Sequence, residues 1–196
     1  MRKMLLAVFL LLSANLSSAT EPDQVAHEAL RGLLQGIEKA INDERYADLA
    51  PFFNEGMQVT TINQEVLTKR EDIAPYFQRW FGSGGFLKKL DIRLTADALT
   101  RLDPDKKYGT VIGSGLEKYI LSDGRSFDMK TRWTATVIHD PDGRWRILTL
   151  HIGTNFLDNP ILAKAESSLT LFTVVGAAGG LIIGLLLMAF LKRRKR

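Results

Sequence analysis

The sequence predicts an α+β fold: a curved antiparallel sheet packed against three N-terminal helices, followed by one C-terminal transmembrane helix. Three observations predict it. Apolar residues recur at helical spacing through the first part of the chain, four long segments of alternating polarity separated by turn residues fill the middle, and 23 uncharged residues run from Leu169 to Leu191.

The chain opens MRKMLLAVFLLLSANLSSA. Arg2 and Lys3 precede the apolar stretch Met4–Leu12, and Ser17-Ser18-Ala19 offers small residues at a cleavage site, so residues 1–19 read as a secretory signal peptide. Residues 20–157 form the expected domain. Its first helix spans 23–43: Asp23 stands where a cap is needed, and Val25, Ala29, Leu30, Leu33, Leu34, Ile37 and Ile41 share a face. A short second helix from Arg45 to Phe53 is interrupted by Pro51. Gly56 opens a strand, MQVTTI, with EVLT as its hairpin partner. In the third helix, 70–81, Ile73, Phe77 and Trp80 fall on one side, and Pro75 lies near the start, where a missing N–H is tolerated.

Four long strands follow: Leu87–Leu102, Tyr108–Leu121, Arg125–His139 and Arg144–Thr154. Asp-Pro-Asp, Asp-Gly and Asp-Pro-Asp-Gly separate them, the residues of tight hairpins. Strands this long in a small domain must curl, and Gly113 and Gly115 are the expected place for a bulge. Alternation sets the inward face. Leu90, Ile92, Leu94 and Ala96 point one way in the first strand, and Phe127, Met129, Thr131, Trp133, Ala135 and Val137 in the third. The last strand is apolar on both faces: Trp145, Ile147, Thr149 and His151 on one, Leu148, Leu150 and Ile152 on the other.

Residues 158–168 are expected to be a juxtamembrane linker and 169–191 the membrane helix. The helix ends in Lys192-Arg193-Arg194-Lys195-Arg196, a basic tail that stays in the cytoplasm. With the signal peptide, this makes a single-pass protein whose domain is exported, on the periplasmic side of a bacterial inner membrane. The net charge of +4 is then topological. Setting aside the two n-region and five tail cations leaves 19 of the 26 basic residues against 22 acids, so the domain is mildly acidic and no nucleic-acid partner is expected. The chain has no cysteine, which excludes disulfides, thiol chemistry and zinc–thiolate sites. His27, His139 and His151 are not at ligand spacing, so no metal is expected, and no phosphate loop or nucleophile elbow occurs.

The order of elements, with the stretches INDERYADLAPFF followed by MQVTT, TKREDIAPYFQRWF and GRWRILTLHIGTN, resembles the nuclear transport factor 2-like, or SnoaL-like, domain superfamily over residues 24–157, here in membrane-anchored exported form. The resemblance implies a cone-shaped sheet whose concave face lines a pocket and whose convex face can form a dimer contact. It also implies that enzymatic members place an Asp, Tyr or His in an apolar cone. By parity His151 is the only inward residue able to act as a base near neutral pH, with Tyr76, Trp80, Trp133 and Asn155 around it as ligand-binding candidates. Asp91, Asp97 and Asp128 have outward parity, and Glu117 lies past the two glycines, where parity is unreadable.

Lacking an inward acid, the domain is expected to bind a small apolar ligand or a protein partner without a cofactor and without catalysis. The alternative is a cofactor-free isomerase, lyase or hydrolase using His151. A homodimer is expected through Leu148, Leu150 and Ile152, an outward apolar row, and through Gly176, Gly180 and Gly184, spaced four apart on the membrane helix.

Overall fold

A computed structural model describes residues 22–194; the expected signal peptide and the last two residues of the basic tail lie outside the described residues. Helix α1, Gln24–Asn42, buries His27, Leu30, Leu33, Ile37, Ala40 and Ile41, the three-and-four spacing of a helix packed along one face. Asp23 precedes it in a left-handed conformation and makes no side-chain cap; its carboxylate pairs instead with Lys106. The short second helix is a 3-10 helix, Tyr46–Phe52, and a 3-10 turn, Arg70–Asp72, leads into α2, Ile73–Phe81.

The strands are β1 (Phe53–Thr60), β2 (Val66–Leu67), β3 (Leu87–Ala96), β4 (Arg101–Leu102), β5 (Tyr108–Leu121), β6 (Ser126–His139) and β7 (Trp145–Thr154). They form one sheet in the order β2-β1-β7-β6-β5-β3, with β4 pairing to β5. Gly124 and Gly143 adopt the positive φ that the Asp-Gly hairpin turns before β6 and β7 require. The expected single strand Leu87–Leu102 is two strands, broken between Ala96 and Arg101, and the sheet is mixed rather than antiparallel throughout, because β1 runs parallel to β7. A parallel neighbour needs a long crossover; here α2 and five strands intervene between the two.

The exposed edge of β3 is covered by α1. The Asn42 side chain accepts from Ile92 N–H at 2.7 Å and donates to Ile92 C=O at 2.9 Å, and Glu38 accepts from Leu94 N–H at 2.7 Å. Side chains thus take the place of a further strand and close the edge to other chains. At the opposite end Arg146 is buried. It donates to Asp140 at 2.7 Å, to Asp142 at 2.6 and 2.8 Å and to the Pro51 carbonyl at 3.2 Å, tying the β6–β7 turn to the 3-10 helix. The guanidinium holds the Asp142 carboxyl down at about 2.

Two details of register decide which side chains face inward. The β5–β6 ladder runs without a shift from Tyr108↔Ile138 to Ile120↔Ser126, and β3–β5 without one from Lys89 to Ala96, so Gly113 and Gly115 form no bulge. The bulge lies in β7. Thr136 pairs with Thr149 but Val137 pairs with Ile147, so Leu148 is the extra residue. Past it the strand changes face. Trp145 and Ile147 point inward before the bulge, and Leu150, Ile152 and Thr154 after it, opposite Ala135, Trp133 and Thr131. The strand is apolar on both of its alternations because it serves one core in two phases. The expected outward row is therefore corrected: Leu150 and Ile152 face the concave side, and no continuous Leu148–Leu150–Ile152 surface exists.

Helix α3, Pro160–Arg194, is continuous, so most of the expected linker is helical. It is long and apolar enough to cross a membrane by length and composition: its most apolar 18-residue window has mean hydropathy 2.5 and none of it is buried against the domain.

Candidate functional site

The curved sheet, α1 and α2 enclose a cavity of about 900 Å³, at the upper end of the ~300–1,000 Å³ typical of small-molecule sites. Its wall is overwhelmingly apolar: Leu33, Ile37, Phe77, Leu90, Met129 and Leu150 are representative. Tyr76, Trp80 and Trp133, three of the expected site residues, line it together. Each ring donor is already engaged. Tyr76 O–H donates to Asn63 at 3.1 Å, Trp80 Nε1–H to Glu65 at 3.1 Å and Trp133 Nε1–H to the Ser114 carbonyl at 3.0 Å. These bonds fix the orientation of the rings.

His151 is not with them. Three residues past Leu148 and paired with Thr134, it lies exposed on the other face of the sheet and does not line the cavity. The parity that placed it inward holds only as far as Ile147. Asn155 is also exposed and serves the turn into α3: its Oδ1 accepts from Leu157 N–H at 3.0 Å and its carbonyl from Asn159 at 3.0 Å. The histidine in the cavity wall is His27, buried on α1.

The polar centre of the cavity is Glu117, whose facing the pattern left open, and it corrects the expectation that the cone lacks an inward acid. Because β5 has no bulge, Gly113, Gly115, Glu117 and Tyr119 all share the inward parity, and Glu117 is buried in the wall with only 5% of its surface exposed. Thr131 Oγ1–H donates to its Oε1 at 2.6 Å, and Tyr119 O–H donates to its Oε2. The glycines make the room. A Cβ on Gly115 would lie 2.5 Å from Thr131 Oγ1 and 3.2 Å from Glu117 Oε1, and one on Gly113 would lie 2.1 Å from the Trp133 ring.

Burial pushes the Glu117 carboxyl above its ordinary value, against the two hydroxyl bonds, which pull the other way. Tyr119, stacked on Phe127 with ring centroids 5.2 Å apart, is raised by the same burial and then by the Glu117 charge. Burial raises the Tyr76 phenol too, with Glu117 a smaller cause. A carboxylate has about four acceptor sites, so Glu117 can take a ligand donor beside its two hydroxyl partners. When protonated it can donate. One signal in the sequence could have exposed it: Glu117 interrupts a row, Val111 to Leu121, that is otherwise apolar, aromatic or glycine. Among the described residues no group of three or more His, Asp or Glu side chains could hold a metal ion.

No family model matches the chain, and no curated protein does. Solved structures do. A protein of Novosphingobium aromaticivorans provisionally assigned as a scytalone dehydratase shares 16% identity, covering 68% of this chain and 87% of its own, with a TM-score of 0.59. A type 2 hexachlorocyclohexane dehydrochlorinase shares 15%, covering 68% and 88%, with a TM-score of 0.57. A cystatin-like domain of unknown function from Nostoc punctiforme shares 17%, covering 79% and 96%, with a TM-score of 0.57. At these identities the likeness establishes the fold: the domain has the cystatin-like, nuclear transport factor 2-like architecture.

Proposed function

We propose that the domain binds a small, mainly apolar molecule inside its cone, with a polar group of that molecule meeting Glu117. The observation that carries this is a buried, two-fold hydrogen-bonded acid in the wall of an otherwise apolar cavity. Titrating the full chain in detergent micelles with an environment-sensitive naphthalene dye, read by energy transfer from Trp80 and Trp133, tests it. Saturable binding is expected, displaced by small apolar alcohols and ketones and weakened by Glu117→Gln. A lack of saturation would count against it.

A second reading has a specific observation behind it. The acid that the alternation left unassigned faces the cavity with a raised proton affinity, and some solved neighbours carry enzyme names, a dehydrochlorinase and a ketosteroid isomerase-like protein among them. A cofactor-free isomerase, lyase or hydrolase would then use Glu117 to move a proton, with Tyr119, released from Glu117 once that carboxyl takes up the proton, donating to a developing oxyanion. His151 would have no part in it. Proton–deuterium exchange at carbon atoms of cavity ligands, abolished by Glu117→Gln, distinguishes the enzyme from the binding domain.

We also propose that α3 anchors the domain on the exported side and pairs with a second copy over Gly176, Gly180 and Gly184, where nothing lies within 4 Å of the position a Cβ would take. Protease added to spheroplasts should remove the domain, and Gly180→Ile should reduce cross-linking in native membranes. A protected domain or an unchanged cross-link would count against each in turn.

A further inference from the structure

We infer that the cone takes its ligand directly from the bilayer that α3 crosses, and that the ligand is a membrane amphiphile with a long hydrocarbon chain. This rests on the ligand-binding reading above and on α3 spanning the membrane.

The mouth of the cavity is identified by a residue that lines it while remaining largely exposed. Ile161 does so, at 60% exposure. Ile161 belongs to the first turn of α3. The helix that enters the membrane therefore begins at the rim of the cavity. From Ile161 to Leu169, where the uncharged run starts, is eight residues, or about 12 Å of helix. The residues between include Lys164, Glu166, Ser167 and Ser168, a polar band suited to the headgroup layer. Phe156 and Leu157, in the turn joining β7 to α3, are 84 and 79% exposed, and no described element covers them. Large apolar side chains rimming an apolar opening beside a membrane helix mark a surface that meets lipid rather than water.

The chemistry of the interior agrees. The wall offers a long apolar surface and one buried acid, the complement of a chain with a single polar group. A long-chain molecule leaving a bilayer through water exposes every methylene to it, and each one opposes the transfer. A mouth held at the headgroup layer by its own anchor removes that exposed step. A freely diffusing, water-soluble ligand would gain nothing from the arrangement.

The test uses the full chain reconstituted into phosphatidylethanolamine–phosphatidylglycerol vesicles containing a phospholipid with a diazirine in its acyl chain. After illumination, adducts are mapped by peptide mass spectrometry. Adducts on β6 and β7 peptides carrying Met129, Trp133 and Leu150, in addition to those on α3, are expected. They should form when the labelled lipid is in the protein's own vesicles and be lost when it is supplied in separate vesicles. Adducts confined to residues 169–191, or equal labelling from separate vesicles, overturn the inference. The naphthalene dye is titrated into the same preparation. Saturable dye binding with adducts confined to α3 would refute the membrane route while leaving ligand binding intact, whereas loss of both would refute both.

Discussion

Replacing Gly113 by alanine adds one methyl group at the point where β3, β5 and the Trp133 ring converge. The new Cβ would lie 2.1 Å from Trp133 Cζ2 and 2.4 Å from the Thr95 carbonyl oxygen, where ordinary contact begins near 3.4 Å. The carbonyl belongs to the paired strand and cannot yield without opening the β3–β5 ladder. Both contacts must be relieved, so the ladder opens locally at Thr95 and the ring moves, taking its bond to the Ser114 carbonyl with it. Overpacking of this kind costs about 1–3 kcal/mol and the hydrogen bond about 1 kcal/mol more. The expected loss is about 2–4 kcal/mol, or ~6–12 °C at roughly 3 °C per kcal/mol for a chain of this size. Thermal unfolding of the full chain in detergent, followed by tryptophan fluorescence, measures it. Gly153→Ala is the control: nothing lies within 4 Å of its Cβ and its φ is not left-handed, so its midpoint should barely move. A Gly113→Ala protein within about 0.5 kcal/mol of wild type would refute the packing of Trp133 over β5 and, with it, the shape of the cavity wall.

Three further outcomes are expected. Burial raises Glu117 above its ordinary value of 4.5, so the folded state holds a proton that the unfolded chain releases, and this contribution to stability is full below 4.5 and lost as pH rises through the folded value. Glu117→Gln removes that dependence, so urea midpoints should show the variant gaining on wild type with rising pH, by about 1.4 kcal/mol for each unit of the shift; a pH-independent difference contradicts the burial argument. Arg146→Ala leaves the buried Asp140 without its guanidinium and should cost about 3 kcal/mol in the same assay, whereas a change near zero would mean the turn is held by other contacts. His151→Ala removes an exposed side chain and should leave stability within about 0.5 kcal/mol and dye affinity unchanged; a large loss of binding would restore His151 to the site.

Most of the fold was legible in the sequence because burial imposes simple periods. Leu30, Leu33 and Ile37 mark one face of a helix, and Phe127 to Val137 alternate without error, since the β5–β6 ladder is regular over those positions. What failed was phase. A single extra residue, Leu148, reverses every side chain after it, so a pattern read from Trp145 forward places His151 inward and Leu150 outward, the reverse of the structure. The clue was present: Trp145 and Ile147 alternate in one phase, Leu150 and Ile152 in the other. The opposite error occurred at β5. Gly113 and Gly115 suggested a bulge, but they are small to admit Trp133, Thr131 and Glu117 from the same face. Local sequence cannot distinguish a glycine that bends a strand from one that makes room above it, because the second depends on a neighbour 16 to 20 residues away. The parallel pairing of β1 with β7 was hidden for the same reason, since its partners are about 90 residues apart.

One buried acid, proposed to meet whatever occupies the cone, is the centre of the proposed site. Carbon-13 NMR of the full chain labelled at glutamate carboxyls, in detergent micelles, observes it directly. One carboxyl should titrate above 4.5, be missing from the spectrum of Glu117→Gln, and shift when the naphthalene dye is added. If every glutamate carboxyl titrates normally, or the high-titrating one is indifferent to the dye, the proposed ligand site at Glu117 is contradicted.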